Sequence, residues 1–366
     1  MPSIYNIIGL MSGTSLDGVD AALLRTNGQD QSEALDYIEC PYPDDLRDKL
    51  RACLGQSDAS LDFVQETARH MSEFQAQLVR DLQARNAKLR IDAIGFHGQT
   101  LFHDPDNGKT LQIGDADLMA ALTGLETVYD FRSADVALGG QGAPLIPLYH
   151  RAMAQQSGLN LPVTFLNIGG VSNITQINGP EDNALYACDT GPGNALIDDY
   201  LLTAKSIKYD TGGIIAKSGV PNEDLIAKWL SHPYFNSPAP KSLDRDAWDT
   251  AGINTLSVED AVATLSAFTV RSIAHHIDTT TALYVCGGGR HNDYIMAELE
   301  KTLNCDVHKI EALGYNGDAI EAQGFAYLAA RVLQGLPTSL PSTTGVKHSL
   351  CGGQRATPPQ LRAETA

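Results

Sequence analysis

The chain has 366 residues, 43% of them hydrophobic and 19% charged, which is typical of a globular protein long enough for two domains. It carries 44 acidic against 26 basic residues, a formal net charge of −18. Nucleic acids and anionic membranes are bound by basic surfaces, so this charge excludes both as the main partner. A small anionic ligand stays compatible, because it needs only a local nest of N–H groups or one arginine.

The cysteines and the apolar runs indicate a compartment. None of the six cysteines forms a CxxC pair, and no His/Cys cluster has the spacing of a zinc site. We find no signal peptide and no apolar run as long as a membrane span. We therefore expect reduced thiols and a cytoplasmic protein.

The first third of the chain alternates strands with helices. The hydrophobic periodicity predicts strands at 4–11, 19–26, 35–39, 93–96, 111–113 and 127–131, and helices at 44–54, 60–86 and 116–122. Between the first two strands the chain turns through SGTSLD, a stretch of small hydroxyls, a glycine and a carboxylate. The short strand at 93–96 leads into HGQT, which we expect to be a loop.

The same architecture returns half a chain later. An apolar strand at 164–168 is followed by the small polar turn Gly169–Asn173 and a strand at 174–177. Such a repeat indicates a duplicated domain. Further strands and helices follow, and their alternation predicts α/β layers. We expect a first domain at 1–138, a second at 139–335 and a tail at 336–366 that packs back on the first domain.

The two small polar turns offer groups that bind phosphate. In the first, Gly13 lets a ligand approach the backbone, and Thr14 and Ser15 can donate hydrogen bonds. Asp17 can hold Mg²⁺, directly or through water. The alternative for each turn is an ordinary hairpin, because the same residue types are common there. Two such turns half a chain apart favour a clamp on the phosphates of a nucleotide.

Other nucleotide and hydrolase patterns are absent from the sequence. The only Gly-Lys pair, Gly108-Lys109, has no glycine at the upstream spacing of a phosphate loop. There is no GxGxxG, no GxSxG and no HExxH.

Several polar residues near predicted strand ends are further candidates. Asp189, in CDTGPGN, lies before a glycine-rich loop that leads to a helix, and can serve as a general base; the alternative is a turn or cap residue. Gly287–Gly289 can pass under a flat adenine or ribose, with Asn292 capping the next helix or touching the nucleotide. Arg132 can bind a substrate carboxylate, or pair with Asp130 or Asp135.

The closing helix carries a pair of carboxylates. Asp318 and Glu321 are spaced one helical turn apart, so we expect them on one face of that helix. They either approach the site or cap the helix, since an aspartate before an apolar helical run is a common start signal.

Six motifs in order along the chain resemble the anhydro-N-acetylmuramic acid kinase family. They are GLMSGTSLDGVDAAL, FHGQT, DFRSADVALGGQGAPLIP, NIGGVSNIT, CDTGPGNALID and GDAIEAQGFAYLA. The resemblance covers nearly the whole chain and implies a two-domain, actin-like ATPase fold of the sugar kinase and Hsp70 type. It has a duplicated mixed sheet flanked by helices and a central nucleotide cleft. It further implies a homodimer and the small-molecule partners ATP, with Mg²⁺, and an anhydro amino sugar.

The family's reaction assigns roles to these motifs. The resemblance implies ATP-dependent phosphorylation of O6 of 1,6-anhydro-N-acetylmuramic acid with opening of its anhydro bridge by water, in the recycling of peptidoglycan. Asp189 is then the catalytic residue that activates the water. ATP contacts are expected from Gly13, Thr14, Ser15, Leu16, Asp17, Gly18, Val19, Asp20, Gly169, Gly170, Ser172, Asn173, Gly191, Gly193, Asn194, Gly287, Gly288, Gly289 and Asn292. Sugar contacts are expected from His97, Gln99, Arg132, Asp135, Gly140, Gln141, Gly142 and Glu321, with Glu321 supporting the site from behind.

Three rival functions use the same fold. An ordinary sugar kinase would use Asp189 to deprotonate a hydroxyl and would incorporate no water. An actin- or chaperone-like ATPase would turn over ATP without sugar. A phosphatase that hydrolyses nucleotides or polyphosphate is the third alternative.

Overall fold

The structure, a computed structural model, describes residues 2–243, 248–277 and 280–359. In chain order its strands are β1 Tyr5–Ser12, β2 Gly18–Thr26, β3 Ser32–Pro41, β4 Ala93–Asp104, β5 Lys109–Ile113, β6 Glu126–Tyr129, β7 Val163–Ile168, β8 Val171–Ile177, β9 Leu185–Pro192, β10 Ala282–Cys286, β11 Asp306–Lys309 and β12 Gln354–Ala356. The helices are α1 Asp44–Cys53, α2 Asp62–Arg85, α3 Ala116–Thr123, α4 Ser133–Ala137, α5 Pro147–Gln156, α6 Ala195–Lys205, α7 Ile214–Ser218, α8 Glu223–Leu230, α9 Pro233–Asn236, α10 Val258–Ala274, α11 Asp293–Leu303, α12 Ile320–Leu333 and α13 Pro341–Thr344.

The contacts divide the chain into two compact units. The first comprises the chain up to Gly158 and from Ala319 onward, and the second comprises Leu159–Asp318. These limits differ from the expected boundaries at 138 and 335. The reason is that α5 and α12 belong to the first unit, where α12 packs across β1, β2 and β4.

Glycines on β1 and β4 allow the backbone of α12 to pack closely on these two strands. A Cβ at Gly9 of β1 would lie 1.8 Å from the carbonyl oxygen of Ala322, and one at Gly95 of β4 would lie 2.3 Å from that of Phe325. Within the same unit the Tyr149 hydroxyl of α5 donates to Gln323 of α12 at 2.7 Å. The closing helix is therefore part of the core of the first unit.

The first unit is built on a seven-stranded mixed sheet. Strands β1, β2 and β3 form an antiparallel meander, and β4 and β6 extend it parallel to β1. β5 folds back on β4 as a hairpin, and β12 from the tail pairs antiparallel with β6. The described part of the tail thus adds a strand to this sheet, while residues 360–366 of the expected tail lie outside the described residues.

The second unit repeats the same topology on five strands. β7, β8 and β9 form an antiparallel meander, and β10 and β11 extend it parallel to β7. Both sheets begin with the order third, second, first, fourth strand; β6 and then β12 follow in the first sheet, and β11 follows in the second. All six residues of β7 are buried, as expected of a central strand covered on both faces. The expected duplicated mixed sheet flanked by helices is confirmed.

Two expected loops are strands in the structure. β4 continues from Ala93 to Asp104, because its second half pairs with β5 after an irregularity near Gly98, whose φ is +73°. His97 and Gln99 therefore lie in a strand. β9 likewise includes Gly191 of the expected glycine-rich loop, because pairing with β8 resumes beyond a bulge, and Asp189 lies within this strand rather than at its end.

No helix in the described ranges is both long and apolar enough to cross a membrane.

Candidate active site

The tip of the β1–β2 hairpin, residues 13–17, is the expected first phosphate turn. Thr14, Ser15 and Asp17 are exposed there, so their polar groups can reach a ligand. Leu16 is buried in the core and has a left-handed backbone with φ +59°. Its buried side chain anchors the turn to the core.

The residues after the tip belong to strand β2. Val19 is buried, and a Cβ at Gly18 would lie 2.3 Å from the carbonyl oxygen of Cys40 on β3. Gly18 and Val19 therefore hold the turn between two strands. The side chains that can face phosphate are those of 14, 15 and 17.

A buried chain of hydrogen bonds supports this tip. The Ser12 hydroxyl donates to Gln99 Oε1 at 2.6 Å, and the Gln99 amide donates to the Gly13 carbonyl at 3.2 Å. The Tyr42 hydroxyl donates to Ser12, and Gln75 donates to Tyr42. Burial raises the pKa of Tyr42 to about 12, so this hydroxyl keeps its proton. Gln99, expected on the sugar side, thus fixes the tip of the β1–β2 hairpin.

His97 and Arg132 form a coupled pair in the first unit. The Arg132 guanidinium donates to His97 Nε2 at 2.9 Å, so the ring proton is assigned to Nδ1, which faces the Gly98 carbonyl at 2.8 Å. Burial and the Arg132 charge lower the pKa of His97 to about 3. The imidazole is neutral near pH 7 and orients the arginine without exchanging protons.

The loop at 139–144 is hydrogen-bonded to Arg132 of this pair and to two further residues, Asp135 and His103. Arg132 Nη1 donates to the Gly142 carbonyl at 2.7 Å. Asp135, fully buried, accepts from the Gly142 amide at 2.7 Å. Gly140 lies against the same carboxylate, because a Cβ there would be 2.1 Å from Asp135 Oδ1. The Gln141 carbonyl is bonded to His103 at 2.9 Å.

Glu321 lies in the first turn of α12. Burial raises the pKa of Glu321 to about 7, the charge of Asp20 on β2 raises it as well, and the charge of Arg132 lowers it. Asp20 accepts a hydrogen bond from the Tyr37 hydroxyl. Asp20 and Glu321 are thus two carboxyl groups whose charges interact. Asp318 lies before α12 and neither shares its face nor caps it, because Ala319 is the N-cap.

The β7–β8 hairpin of the second unit ends in Gly169 and Gly170. Their carbonyls accept from the amides of Asn194 and Gly193, both at 2.8 Å. These two N–H groups at the start of α6, expected to face a ligand, are therefore bonded to the hairpin. Ser172 is fully buried, and its hydroxyl has no hydrogen-bond partner within the described ranges.

Asp189 lies beside this hairpin, directly opposite Asn173 in the β8–β9 register. It is 7% exposed, and its Oδ2 accepts from the Leu243 amide at 2.8 Å. The Asp189 amide donates to the Lys241 carbonyl at 3.0 Å, and the Tyr234 hydroxyl donates to the Asp189 carbonyl at 2.6 Å. The segment 234–243 therefore fixes the carboxylate. No sequence motif indicates the role of this segment, because it acts mainly through backbone atoms.

The glycine-rich stretch after β10 is a short 3-10 turn before α11. A Cβ at Gly287 would lie 2.2 Å from Asn167 Oδ1, and one at Gly289 would lie 2.3 Å from Ile168 Cγ2. These two glycines let the turn pack on the end of β7. Asn292 caps α11 by accepting from the Ile295 amide at 3.1 Å, as expected.

Arg290 is a residue of this turn whose role the sequence motifs do not indicate. Only 2% exposed, it donates two hydrogen bonds to Asp318, both 2.7 Å, and one to Glu311 at 2.8 Å. Its Nη1 also donates to the Gly287 carbonyl at 3.0 Å. Both carboxyl groups have their pKa lowered, for Asp318 mainly by the hydrogen bond from Arg290. Asp318 therefore serves to hold the glycine turn.

Four glycines in the described ranges have neither a left-handed backbone nor a neighbour that a Cβ would crowd. They are Gly13, Gly169, Gly170 and Gly288, where the nearest atom to an added Cβ is 3.6, 3.5, 3.7 and 3.8 Å away. Neither packing nor a left-handed backbone demands glycine at these positions. All four lie at the hairpin tips and the turn expected to touch the nucleotide. The close approach of a ligand to the backbone is a reason for glycine at such a position.

The donor set fits a magnesium ion bound with phosphates. No group of three His, Cys, Asp or Glu side chains in the described ranges could hold a metal by itself. Mg²⁺ is usually held by one or two carboxylates together with substrate phosphates and water. The exposed Asp17 at the first hairpin tip can supply such a carboxylate.

Comparison with known proteins gives one family. The model of the family described as anhydro-N-acetylmuramic acid kinase matches residues 5–356. A curated protein of that name from Zymomonas mobilis is 44% identical over 361 residues, covering 95% of this chain and 98% of the relative. One from Rhodospirillum rubrum is 45% identical over 351 residues, covering 94% and 92%.

A search of solved structures gives more distant matches. A ligand-bound xylulose kinase from Lactobacillus acidophilus aligns with 99% of this chain and 95% of its own, at 11% identity and a TM-score of 0.44. The assignment to a family rests on the family model and the curated relatives.

Proposed function

Because the chain belongs to the anhydro-N-acetylmuramic acid kinase family, and so is a sugar kinase that uses ATP, we propose that it opens the anhydro bridge of its substrate with water while phosphorylating O6. The substrate is 1,6-anhydro-N-acetylmuramic acid. The products are N-acetylmuramic acid 6-phosphate and ADP, and the pathway is the recycling of peptidoglycan in the cytoplasm.

The observation that carries the proposal on the ATP side is the set of four open glycines. Gly13, Gly169, Gly170 and Gly288 are free of any steric need for glycine, and Gly170 and Gly288 are themselves exposed. Backbone N–H groups without a side chain above them can approach phosphate oxygens or the flat face of a nucleoside. We assign the phosphates to the two hairpin tips and the nucleoside to Gly288.

The substrate determines what a base can do. O6 of the anhydro sugar is bonded to C1, so the sugar has no 6-hydroxyl proton for a base to remove. We assign Asp189 to the water: its carboxylate takes a proton as the water oxygen bonds to C1. The C1–O6 bond breaks, and O6 takes the γ-phosphoryl group from ATP, which leaves ADP. The phosphoryl group thereby replaces the proton that an acid gives in an inverting glycoside hydrolysis.

The structure supports a base at this position in three ways. Asp189 is largely buried, so its carboxylate is shielded from bulk water. It is fixed by the Leu243 amide, which limits the positions of the carboxylate. It pairs with Asn173, three residues from the Gly170 tip, so the base and the proposed phosphate turn belong to one antiparallel meander.

On the sugar side we assign Arg132 to the lactyl carboxylate. Arg132 is half-buried and is oriented by His97 and the Gly142 carbonyl. A guanidinium held in this way can bind a carboxylate through charge-assisted hydrogen bonds. Mg²⁺, held by Asp17 directly or through water, would neutralise charge on the β- and γ-phosphates when bound.

The test is the substitution Asp189→Asn, which keeps the size of the side chain. Removing a general base of this kind costs about 10²–10⁴ in rate. We expect kcat to fall by that factor while ATP still binds, measured by product formation and by titration calorimetry with MgATP. Asp199→Asn, an exposed position on α6, is the matched control and should leave kcat unchanged. A variant that keeps more than about a tenth of the wild-type kcat would overturn the role of Asp189.

A further inference from the structure

We infer that Thr344, in the C-terminal segment, is a positioning residue for the sugar-binding loop at 139–144. The inference rests on the proposed function, which assigns this loop and Arg132 to the sugar. Thr344 lies outside the six sequence motifs of the family. Its side chain is fully buried in the first unit, at the end of the short helix α13.

Thr344 is joined to the loop by two short hydrogen bonds. Its hydroxyl donates to Asp135 Oδ2 at 2.6 Å. Its carbonyl accepts from the Gln141 amide, also at 2.6 Å. One residue of the C-terminal segment therefore contacts both the loop backbone and the carboxylate around which the loop folds.

Asp135 transmits this contact to the middle of the loop. Its second oxygen, Oδ1, accepts from the Gly142 amide at 2.7 Å, and its carbonyl accepts from the Gly140 amide at 2.9 Å. Because Asp135 is fully buried, an oxygen that loses its donor cannot recover it from bulk water. Loss of the Thr344 hydroxyl is therefore expected to shift or rotate the carboxylate, and the Gly142 amide with it.

Gly142 connects the loop to the proposed sugar-binding arginine. Its carbonyl accepts from Arg132 Nη1 at 2.7 Å, and its backbone has φ +66°, which few other residues would tolerate. A displaced Gly142 would weaken the hydrogen bond that orients the guanidinium on the side away from His97. The chain of contacts runs from Thr344 through Asp135 and Gly142 to Arg132.

The C-terminal segment has anchors that do not depend on this hydroxyl. Thr343 exchanges hydrogen bonds with the backbone of Leu340. Thr338 accepts from the Gly352 amide at 2.8 Å, and β12 is paired with β6. The segment should therefore keep its place when the Thr344 hydroxyl is removed, so the effect of a substitution can be read at the loop.

The experiment compares Thr344→Val with Thr344→Ser and Thr343→Val in the full chain. Thr344→Val removes the hydroxyl at nearly constant volume, Thr344→Ser keeps it, and Thr343→Val removes a neighbouring hydroxyl that does not reach the loop. A hydrogen bond to a charged group is worth enough for about a tenfold effect. For Thr344→Val we expect a KM for the anhydro sugar raised by about that factor, with the KM for ATP within about twofold of wild type. Thr344→Ser and Thr343→Val should both resemble wild type.

Hydrogen exchange of the free protein tests the same contact without substrate. In Thr344→Val the amides of Gln141 and Gly142 should exchange faster than in wild type, while those of β12 stay unchanged. Unchanged exchange at these two amides overturns the inference, and so does an equal rise in both KM values. Because exchange needs no turnover, it tests the role of Thr344 independently of the reaction. If the wild-type protein failed to phosphorylate the anhydro sugar, that result would overturn the proposed function but not the role of Thr344.

Discussion

At the scale of single residues, Glu321 is a carboxyl group whose pKa the fold shifts to near neutral pH. Burial and the neighbouring Asp20 raise its pKa from the ordinary 4.5 to about 7, although Arg132 opposes them. Carboxyl groups with raised pKa values cluster at functional sites. This places the protonation of Glu321 within the pH range in which an enzyme works, next to the arginine that we assign to the sugar.

The raised pKa has a consequence for stability. The folded protein keeps the Glu321 proton up to about pH 7, whereas the unfolded chain loses it near pH 4.5. The contribution of the protonated group is therefore fully present below pH 4.5 and is lost as the pH rises through 7. Glutamine resembles the protonated form at every pH.

We accordingly predict that Glu321→Gln stabilises the protein at pH 8 but not at pH 5. The gain in the free energy of unfolding at pH 8 should be about 1–3 kcal/mol, allowing for partial solvation of the side chain. Urea unfolding at the two pH values measures it, with the exposed Glu181→Gln as control. An equal effect at both pH values would contradict the assigned pKa.

At the scale of elements, the hairpin tips were predictable from the sequence and their supports were not. The turn between β1 and β2 shows in the composition of SGTSLD, since small polar residues interrupt two apolar runs. The chain Gln75–Tyr42–Ser12–Gln99 that holds it joins residues up to 87 positions apart, so no local pattern reveals it. Arg290 and Lys241 were missed for the same reason.

The extents of β4 and β9 were underestimated because glycines resemble turns. Gly98 and Gly191 both have positive φ, and a glycine with neighbouring polar residues usually marks a loop. In both strands the glycine accompanies an irregularity, after which antiparallel pairing continues with the strand adjacent along the chain, β5 for β4 and β8 for β9. This continued pairing makes the segments strands although their glycines are typical of turns.

The open glycines make an element-scale prediction. Gly13→Ala, Gly170→Ala and Gly288→Ala add a methyl group where the fold has room, so we expect the free energy of unfolding to change by less than about 1 kcal/mol. At the nucleotide site that we propose, the same methyl group would meet the bound ATP, so the KM for ATP should rise by about tenfold or more. Unfolding curves and steady-state kinetics measure the two effects.

Gly9→Ala is the contrasting variant for this set. Its methyl group would meet the backbone of α12, so it should lose about 3 kcal/mol or more of stability. If the three tip variants were destabilised like Gly9→Ala, with unchanged KM for ATP, these glycines would be structural and the nucleotide assignment would fail.

At the scale of the whole molecule, the duplicated topology was predictable and the unit boundaries were not. The repeat of strand, small polar turn and strand appears in the sequence at 7–24 and again at 164–177. The structure gives the first four strands of both sheets the same order. The return of α12 to the first unit is set by the close packing of its backbone on β1 and β4, which hydrophobic periodicity does not encode.

The central claim is that one turnover couples bridge opening by water with phosphorylation of O6. Incubation with MgATP and 1,6-anhydro-N-acetylmuramic acid in ¹⁸O-labelled water, read by mass spectrometry, tests it most directly. We predict a product that has gained one phosphate and one labelled oxygen, with the label at C1 and none in the phosphate. A phosphorylated sugar without label would show an ordinary kinase acting on a hydroxyl, and labelled inorganic phosphate without a sugar product would show an ATPase; either result would contradict the account.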